Sequence, residues 1–281
     1  MKPLTPDFIK SLYRPVKDDA HKGTQGHALI VAGSYGKMGA AVLASKAALK
    51  SGCGLVTAFI PSVGYQIMQS AFPEAMVITD SNANLITNIK VGFAPIAIGI
   101  GPGIGLDPQT LKAFSDFLDS MQSSLVLDAD ALNIISSSPD LLERIPPKTI
   151  LTPHPKEFER LVGKSKSDAE RIEKAKQLSS MYDLILVLKG APTQIVYGES
   201  VLVNTTGNPA LATAGSGDVL TGIITGLLAQ GYDPIDAASI GVYLHGLSAD
   251  LGSIEISKAA FTASDILRYL GRAFLQLEKN A

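Results

Sequence analysis

From Ala28 onward, apolar runs of strand length alternate with amphipathic or small-residue helical stretches almost to the end of the chain. Strands buried on both faces read as continuous apolar runs, so this alternation predicts a central, mostly parallel sheet covered by helices on both faces. The expected strands are Ala28–Gly33, Gly54–Ile60, Ala75–Thr79, Pro95–Ile100, Ser124–Ala129, Lys148–Thr152 and Leu184–Lys189. The last leads into "TQIVYGESVLVN", two alternating runs hinged at Gly198-Glu199, expected as a hairpin on the sheet edge. The expected helices are Gly39–Lys50, Pro108–Ser120, Ser167–Met181, Asp218–Gln230, Pro234–Leu251 and Thr262–Leu277, the last three breaking the alternation. No repeat, low-complexity segment or Pro/Gly/Ser linker divides the 281 residues, so residues 1–281 are expected to form one α/β/α domain.

Charge and composition exclude several classes of partner. The formal net charge is -2 and no Lys/Arg cluster is dense enough to track a nucleic-acid backbone, so neither nucleic acid nor a polyanion is an expected partner. The N-terminal "MKPLTPDFIKSLYRPVKDD" lacks the apolar core of a signal peptide, and no apolar run reaches membrane-spanning length without glycine or charge. A single cysteine, Cys53, allows no intramolecular disulfide and reads as a small packed thiol. A soluble cytoplasmic protein with no membrane association, acting on small molecules, is expected.

In open α/β sheets, ligands bind beyond the carboxyl ends of the strands, and three glycine-rich loops lie where such ligands would be met. "GSYGKMG" (Gly33–Gly39) and "GIGPGIG" (Gly99–Gly105) each follow a strand, yet neither is a standard phosphate motif. The first lacks the hydroxyl residue after its lysine, and the second breaks the dinucleotide spacing with a proline. "TAGSGD" (Thr213–Asp218) says more, because its glycines open the start of a helix and leave unpaired N–H donors beside one carboxylate. Two readings remain open from these residues alone: Ser216 as an ordinary N-cap with Asp218 complementing the helix dipole, or an anion hole with an adjacent base.

Beyond single loops, the chain resembles the ribokinase-like superfamily and, within it, the NAD(P)H-hydrate dehydratases. The resemblance rests on "HKGTQGHALIVAGSYGKMGAAVLASKAALKSGCGLVTAFIP", "GIGPGIG", "VLDADALNII", "LTPHPKEFERL", "VLKGAPTQIV", "GNPALATAGSGDVLTGIITGLLAQG" and "VYLHGLSAD", in family order from His21 to Asp250. Where the family usually has Gly-Met after "GNP", this chain has Ala210-Leu211, and where it often has Gly-Gly-Thr, this chain has Ala214-Gly215-Ser216. The resemblance implies a ribokinase-like α/β/α fold. It also implies repair of NADH or NADPH hydrated at C6, by phosphorylation of the C6 hydroxyl of the S-epimer and loss of phosphate. The co-substrate it implies is ADP, as in stand-alone bacterial members, with ATP the alternative. Mg2+ is the implied cofactor. Because 281 residues leave no room for the family's epimerase domain, a separate epimerase is implied in the same pathway.

Residue by residue, the resemblance assigns Asp218 as the base that takes the hydroxyl proton. It places substrate contacts at Ala40 or Ala41, at Gly103 and at His154. Nucleotide contacts fall on Lys189, Gly190, Ala191, Pro192 and Thr193, and on Ala214, Gly215, Ser216 and Gly217. Glu157, in "PHPKE", is the implied Mg2+ holder through water, with Asp128 and Asp130 of "LDAD" able to join the same polar network. His154, between two prolines, is expected on an exposed turn, and the other histidines show no ligand spacing with it. Taken without the resemblance, Lys189 reads equally well as a solvated charge at a strand end. Alanine-rich helices can bury against partner subunits, so a homo-oligomer, a homotetramer in the first instance, is expected. Two other readings share these residues: a vitamin-precursor kinase of the same superfamily, and a catalytically silent nucleotide-binding protein.

Overall fold

The computed structural model describes residues 1–119 and 123–278. Ten strands lie in one sheet: β1 (Lys2–Leu4), β2 (His27–Val31), β3 (Leu55–Ile60), β4 (Met76–Thr79), β5 (Ala97–Ile100), β6 (Ser124–Leu127), β7 (Ile150–Leu151), β8 (Ile185–Leu188), β9 (Gln194–Tyr197) and β10 (Ser200–Asn204). Their order is β1-β10-β9-β8-β7-β6-β5-β2-β3-β4. All pairs are parallel except β8–β9 and β9–β10. Each strand expected from the sequence is present, shortened at one end or both, with β2 starting one residue earlier, at His27. The expected edge hairpin is corrected: β1 pairs in parallel with β10 and covers its outer side, so the hairpin lies one strand in.

Helices cover both faces. On one side, α2 (Met38–Lys50), α8 (Ser216–Ala229), α9 (Pro234–Gly252) and α10 (Ala263–Glu278) enclose a core rich in alanine, with α1 (Pro6–Leu12) and α3 (Tyr65–Ala71) at its margin. On the other, α4 (Pro108–Leu118), α5 (Asp130–Ser137), α6 (Pro155–Val162) and α7 (Asp168–Tyr182) pack Phe114, Ile134, Phe158 and Ile172 against the sheet. The short helices α1, α3, α5 and α6 are additions to the sequence reading. Ser120, the expected end of α4, lies outside the described residues.

Helix α8 is apolar all round and its residues from Val219 to Ala229 are buried, as a helix clamped between other helices and a sheet must be. It reaches α2 because Gly222 and Gly226 present no side chains: a Cβ on Gly222 would stand 2.1 Å from the Ala44 carbonyl oxygen, and one on Gly226 2.3 Å from that of Ala48. Backbone atoms cannot step aside as a side-chain tip does. Gly222→Ala is therefore expected to cost about 1–3 kcal/mol, read as a lowered Tm or denaturation midpoint. Cys53 is packed as expected, with burial pushing its thiol up to about 12. Among the described residues, no helix is long and apolar enough to cross a membrane.

Candidate active site

The sheet reverses its order between β2 and β5, since the chain runs outward from β2 through β3 and β4 and returns to the other side of β2. Such a switch point leaves a crevice at the carboxyl ends of the two strands. The two glycine loops meet there: Gly33 N–H donates to the Pro102 carbonyl at 2.8 Å, and Ser34 Oγ to the Gly103 carbonyl at 2.7 Å. A Cβ on Gly103 would lie 3.3 Å from that of Ala40, so these two expected substrate contacts are neighbours. Ala41 differs from its neighbour, because its side chain is fully buried beside Gly33 in the core. The whole of Ala41 is buried, so of the two it is Ala40 that presents surface to the crevice.

Two aspartates follow the end of β6 and engage different partners. Ala129 between them has φ 50°, a costly conformation for a residue with a Cβ. Asp128 is 1% exposed and accepts from Lys189 Nζ at 2.6 Å and from Thr221 Oγ1 at 2.8 Å. Asp130 accepts from the Gly105 amide at 2.9 Å and stands 3.6 Å from Lys37 Nζ, which ties the β5 and β2 loops together. Lys189 is consequently no free charge at a strand end. Its ammonium is held over the next loop by a nearly buried carboxylate.

That next loop is "TAGSGD". Gly215 has φ 85° and is the N-cap of α8, with no side chain capping the first amides. The N-cap reading of Ser216 is therefore corrected: Ser216 is the first helical residue, two earlier than the expected start at Asp218. A side chain on Gly215 would meet Leu43 Cδ1 at 2.5 Å, and one on Gly217 would meet Lys189 Nζ at 3.2 Å. Bare glycines thus bring the start of α8, the Lys189–Asp128 pair and Asp218 into one cluster. Burial first, then the Asp128 carboxylate, pushes Asp218 up to about 6; Lys189 opposes the shift and Asp130 adds to it. A carboxyl with that value exchanges its proton near neutrality, which suits a general base.

β7 lies between β6 and β8, and the loop after it joins the same rim: the Lys189 amide donates to the Pro153 carbonyl at 2.9 Å. His154 lies on the turn before α6 as expected, with its side chain 45% exposed, and in addition caps that helix. Its Nδ1 accepts from the amides of Lys156 and Glu157, at 3.1 and 3.2 Å, while Glu157 Oε2 accepts from the His154 amide at 2.8 Å. Glu157 is buried and engaged in this reciprocal cap. Gly190, Ala191 and Pro192 lie exposed on the loop from Lys189 to β9, where Thr193 Oγ1 donates to the Gly190 carbonyl at 3.1 Å.

Some contributors are invisible to motif reading. Thr221 reaches Asp128 from one turn after Asp218, a spacing that marks it only once the helix start is known. His245 of α9 contacts Ser216 across 29 residues. Asp80, 2% exposed after β4, receives the amides of Asn82, Thr87 and Asn88. Burial opposes its ionisation, but these donors outweigh it and hold the carboxyl below its ordinary range. The loop it folds donates no side chain to the cluster, yet its Asn84 carbonyl accepts from the Tyr35 amide beside Gly33.

The sequence model of one family, the NAD(P)H-hydrate dehydratases, matches residues 28–272. The chain belongs to this family. An ADP-dependent (S)-NAD(P)H-hydrate dehydratase from Neisseria meningitidis is 36% identical over 263 residues, covering 91% of this chain and 86% of that one. The bifunctional NAD(P)H-hydrate repair enzyme Nnr of Moorella thermoacetica is 38% identical over 98% of this chain. This chain spans about half of that relative's length, 54%. An ADP/ATP-dependent NAD(P)H-hydrate dehydratase from Bacillus subtilis, co-crystallised with ATP and Mg2+, superposes with a TM-score of 0.86 at 32% identity over 98% of each chain. The fold shared with these dehydratases is the ribokinase-like one.

Proposed function

We propose that this chain restores NADH or NADPH from the S-epimer of the C6-hydrated cofactor, with ADP, or alternatively ATP, as phosphoryl donor. Asp218 carries the proposal: it is the one carboxylate raised to about 6 at the uncapped start of α8, beside Gly217 and the Lys189–Asp128 pair. In this reading Asp218 removes the proton from the C6 hydroxyl as its oxygen attacks the terminal phosphorus of the nucleotide. The bond to the bridging oxygen breaks and AMP leaves when the donor is ADP. The amides of Ala214, Gly215, Ser216 and Gly217 and the Lys189 ammonium balance the charge on the transferred phosphoryl oxygens. The new phosphate ester then leaves C6 with its bonding electrons, driven by the ring nitrogen. Loss of the C5 proton restores the double bond.

The substrate lies in the β2–β5 crevice, against Gly103 and against Ala40, near the start of α2 beside buried Ala41, with His154 at the rim. The nucleotide lies along Lys189, Gly190, Ala191, Pro192 and Thr193. Among the described residues, no group of three or more His, Cys, Asp or Glu side chains can hold a metal. Mg2+ keeps several waters and binds phosphates with one or two carboxylates, and Glu157, whose Oε2 accepts the His154 amide in the α6 cap while Oε1 stands 3.3 Å from His154 Nε2, suits contact through water. When bound, the ion would neutralise charge on the nucleotide's phosphates. Glu157→Ala is expected to raise the Mg2+ concentration needed for half-maximal activity several-fold; a titration unchanged from the parent removes Glu157 from the role.

The repair reaction is tested by incubating the protein with NADH-hydrate, Mg2+ and either ADP or ATP, and following the absorbance of the reduced nicotinamide ring. Return of absorbance only with nucleotide is expected. No return with either nucleotide rejects repair, and a stable phosphate ester in its place marks a kinase. A separate epimerase supplying the S-epimer belongs to the same proposal, as does action in the cytoplasm, where both nucleotides are soluble. Exposed Tyr65 and Ile67 on α3 and Met76 on the edge strand β4 support a homo-oligomer, a homotetramer first, which light scattering resolves.

A further inference from the structure

Helix α9 touches no proposed ligand, yet it holds much of the segment that leads into the phosphoryl-binding loop. Asn204 Nδ2 donates to the Val242 carbonyl at 3.4 Å and Thr206 Oγ1 to that of Tyr243 at 2.8 Å. Asp250 receives the Gly207 amide and Asn208 Nδ2, both at 2.8 Å. At the end of this seam stands His245, 8% exposed, with Nε2 3.0 Å from the Ser216 carbonyl oxygen and 3.2 Å from Ser216 Oγ. A carbonyl only accepts, so Nε2 carries the hydrogen and shares it with Oγ. The Ser216 hydroxyl hydrogen is thereby left for another acceptor.

We infer that His245 is a positioning residue: as a neutral donor it fixes Ser216 at the start of α8, so that the loop amides, the Ser216 hydroxyl and Asp218 keep their geometry toward the nucleotide's terminal phosphoryl group. The inference rests on the repair reading for the identity of the acceptor, and on the contacts of Ser216 for the rest. The alternatives for a buried histidine do not fit its surroundings. Among the described residues, both hydrogen-bond contacts of the ring go to Ser216, and burial lowers its proton affinity to about 4, with the Ser216 carbonyl opposing and Lys189 reinforcing the shift. It is uncharged at neutral pH and serves neither as a cation nor as a proton carrier there. Ser216 is 7% exposed, so a loop released from His245 shifts groups that already lie within the cluster.

Two variants and three nucleotides test this. His245→Leu is close in volume and removes only the polar contact, whereas in His245→Gln an amide N–H stands near the place of Nε2. In the repair assay His245→Leu is expected to lower kcat by about 10- to 100-fold with little change in KM for the hydrate, and His245→Gln to recover most of that loss. Calorimetry with AMP, ADP and ATP gives the second readout: His245→Leu leaves AMP affinity at the parent value and narrows the gap between AMP and the donor nucleotide about tenfold. A kcat within about threefold of the parent, or an unchanged affinity gap, overturns the inference, as do equal losses in both variants. If thermal melts show that His245→Leu does not fold, His245→Asn, too short to reach Ser216, replaces it with the same expectations. A parent protein inactive on the hydrate overturns the repair reading instead, and the affinity gap still decides His245.

Discussion

Replacing Asp218 with Asn is expected to abolish hydrate repair, by about 10³-fold or more, while ADP or ATP binding stays near the parent value. The amide cannot take the hydroxyl proton, but the α8 amides and Lys189 that meet the phosphates are untouched. Near-normal turnover of the variant would remove Asp218 from the role of base. The parent's own pH profile checks the same assignment. Since the base must be ionised, kcat/KM should fall below a pH of about 6 and level off above it. Stability should respond in the opposite direction. A carboxyl of ordinary value 3.8 held at about 6 binds its proton more tightly in the folded chain, so it stabilises the fold below about pH 4 and loses that contribution as pH rises through 6. Ionised Asp218 therefore costs the fold about 3 kcal/mol at neutral pH. Asp218→Asn should melt higher than the parent at pH 7.5 and no higher at pH 3.5. A helix-capping aspartate would give the reverse, which makes the sign of the Tm change as informative as the loss of activity.

Separating Lys189 from Asp128 is expected to move that pH profile in two directions. Asp128 raises the Asp218 value and Lys189 lowers it. Asp128→Asn should therefore shift the acid limb of kcat/KM to lower pH, and Lys189→Met to higher pH. Shifts of the same sign would show that neither charge acts directly on Asp218. Both variants lose stability as well, because each strands one half of a largely buried pair, at a cost of about 3–5 kcal/mol. Lys189→Met should be the more costly, since it leaves Asp128, 1% exposed, with Thr221 Oγ1 as its remaining side-chain donor. The double variant should lose less than the sum of the two, the difference being the coupling of the pair. Chemical denaturation at pH 7.5 gives all three values.

The central parallel strands were legible because each is largely buried on both faces and is written as an unbroken apolar run, and the edge strand β4, with Met76 exposed, shares the apolar run without the burial. β1 was not: "KPL" offers one buried residue, Leu4, and its place is set by β10 rather than by its own pattern. Helices α5 and α6 escaped for a related reason, being eight residues each and starting directly after strands, where the apolar spacing has barely completed two turns. At the site, the glycines of "TAGSGD" and the acid that follows them drew the eye to the right helix. Their detail misled, because Ser216 resembles an N-cap while Gly215 alone tolerates the left-handed conformation that ends the loop. Lys189 and Asp128 could each be singled out but not paired, since 61 residues separate them and only the adjacency of β6, β7 and β8 brings them together.

β1 also bears on how the chain reaches its fold. Thr205 Oγ1 donates to the Leu4 carbonyl at 2.6 Å across 201 residues of sequence, and the three residues of β1 have no other strand to join. Closing so long a loop is entropically slow, so the rim strand is expected to dock late, after the doubly wound centre has formed. Until it does, β10 displays a row of unpaired backbone groups, the kind of edge that templates intermolecular pairing. A peptide fused ahead of Lys2 would act on this last step and not on the chemistry, so its effect would be seen in the yield of soluble protein while kcat stayed unchanged.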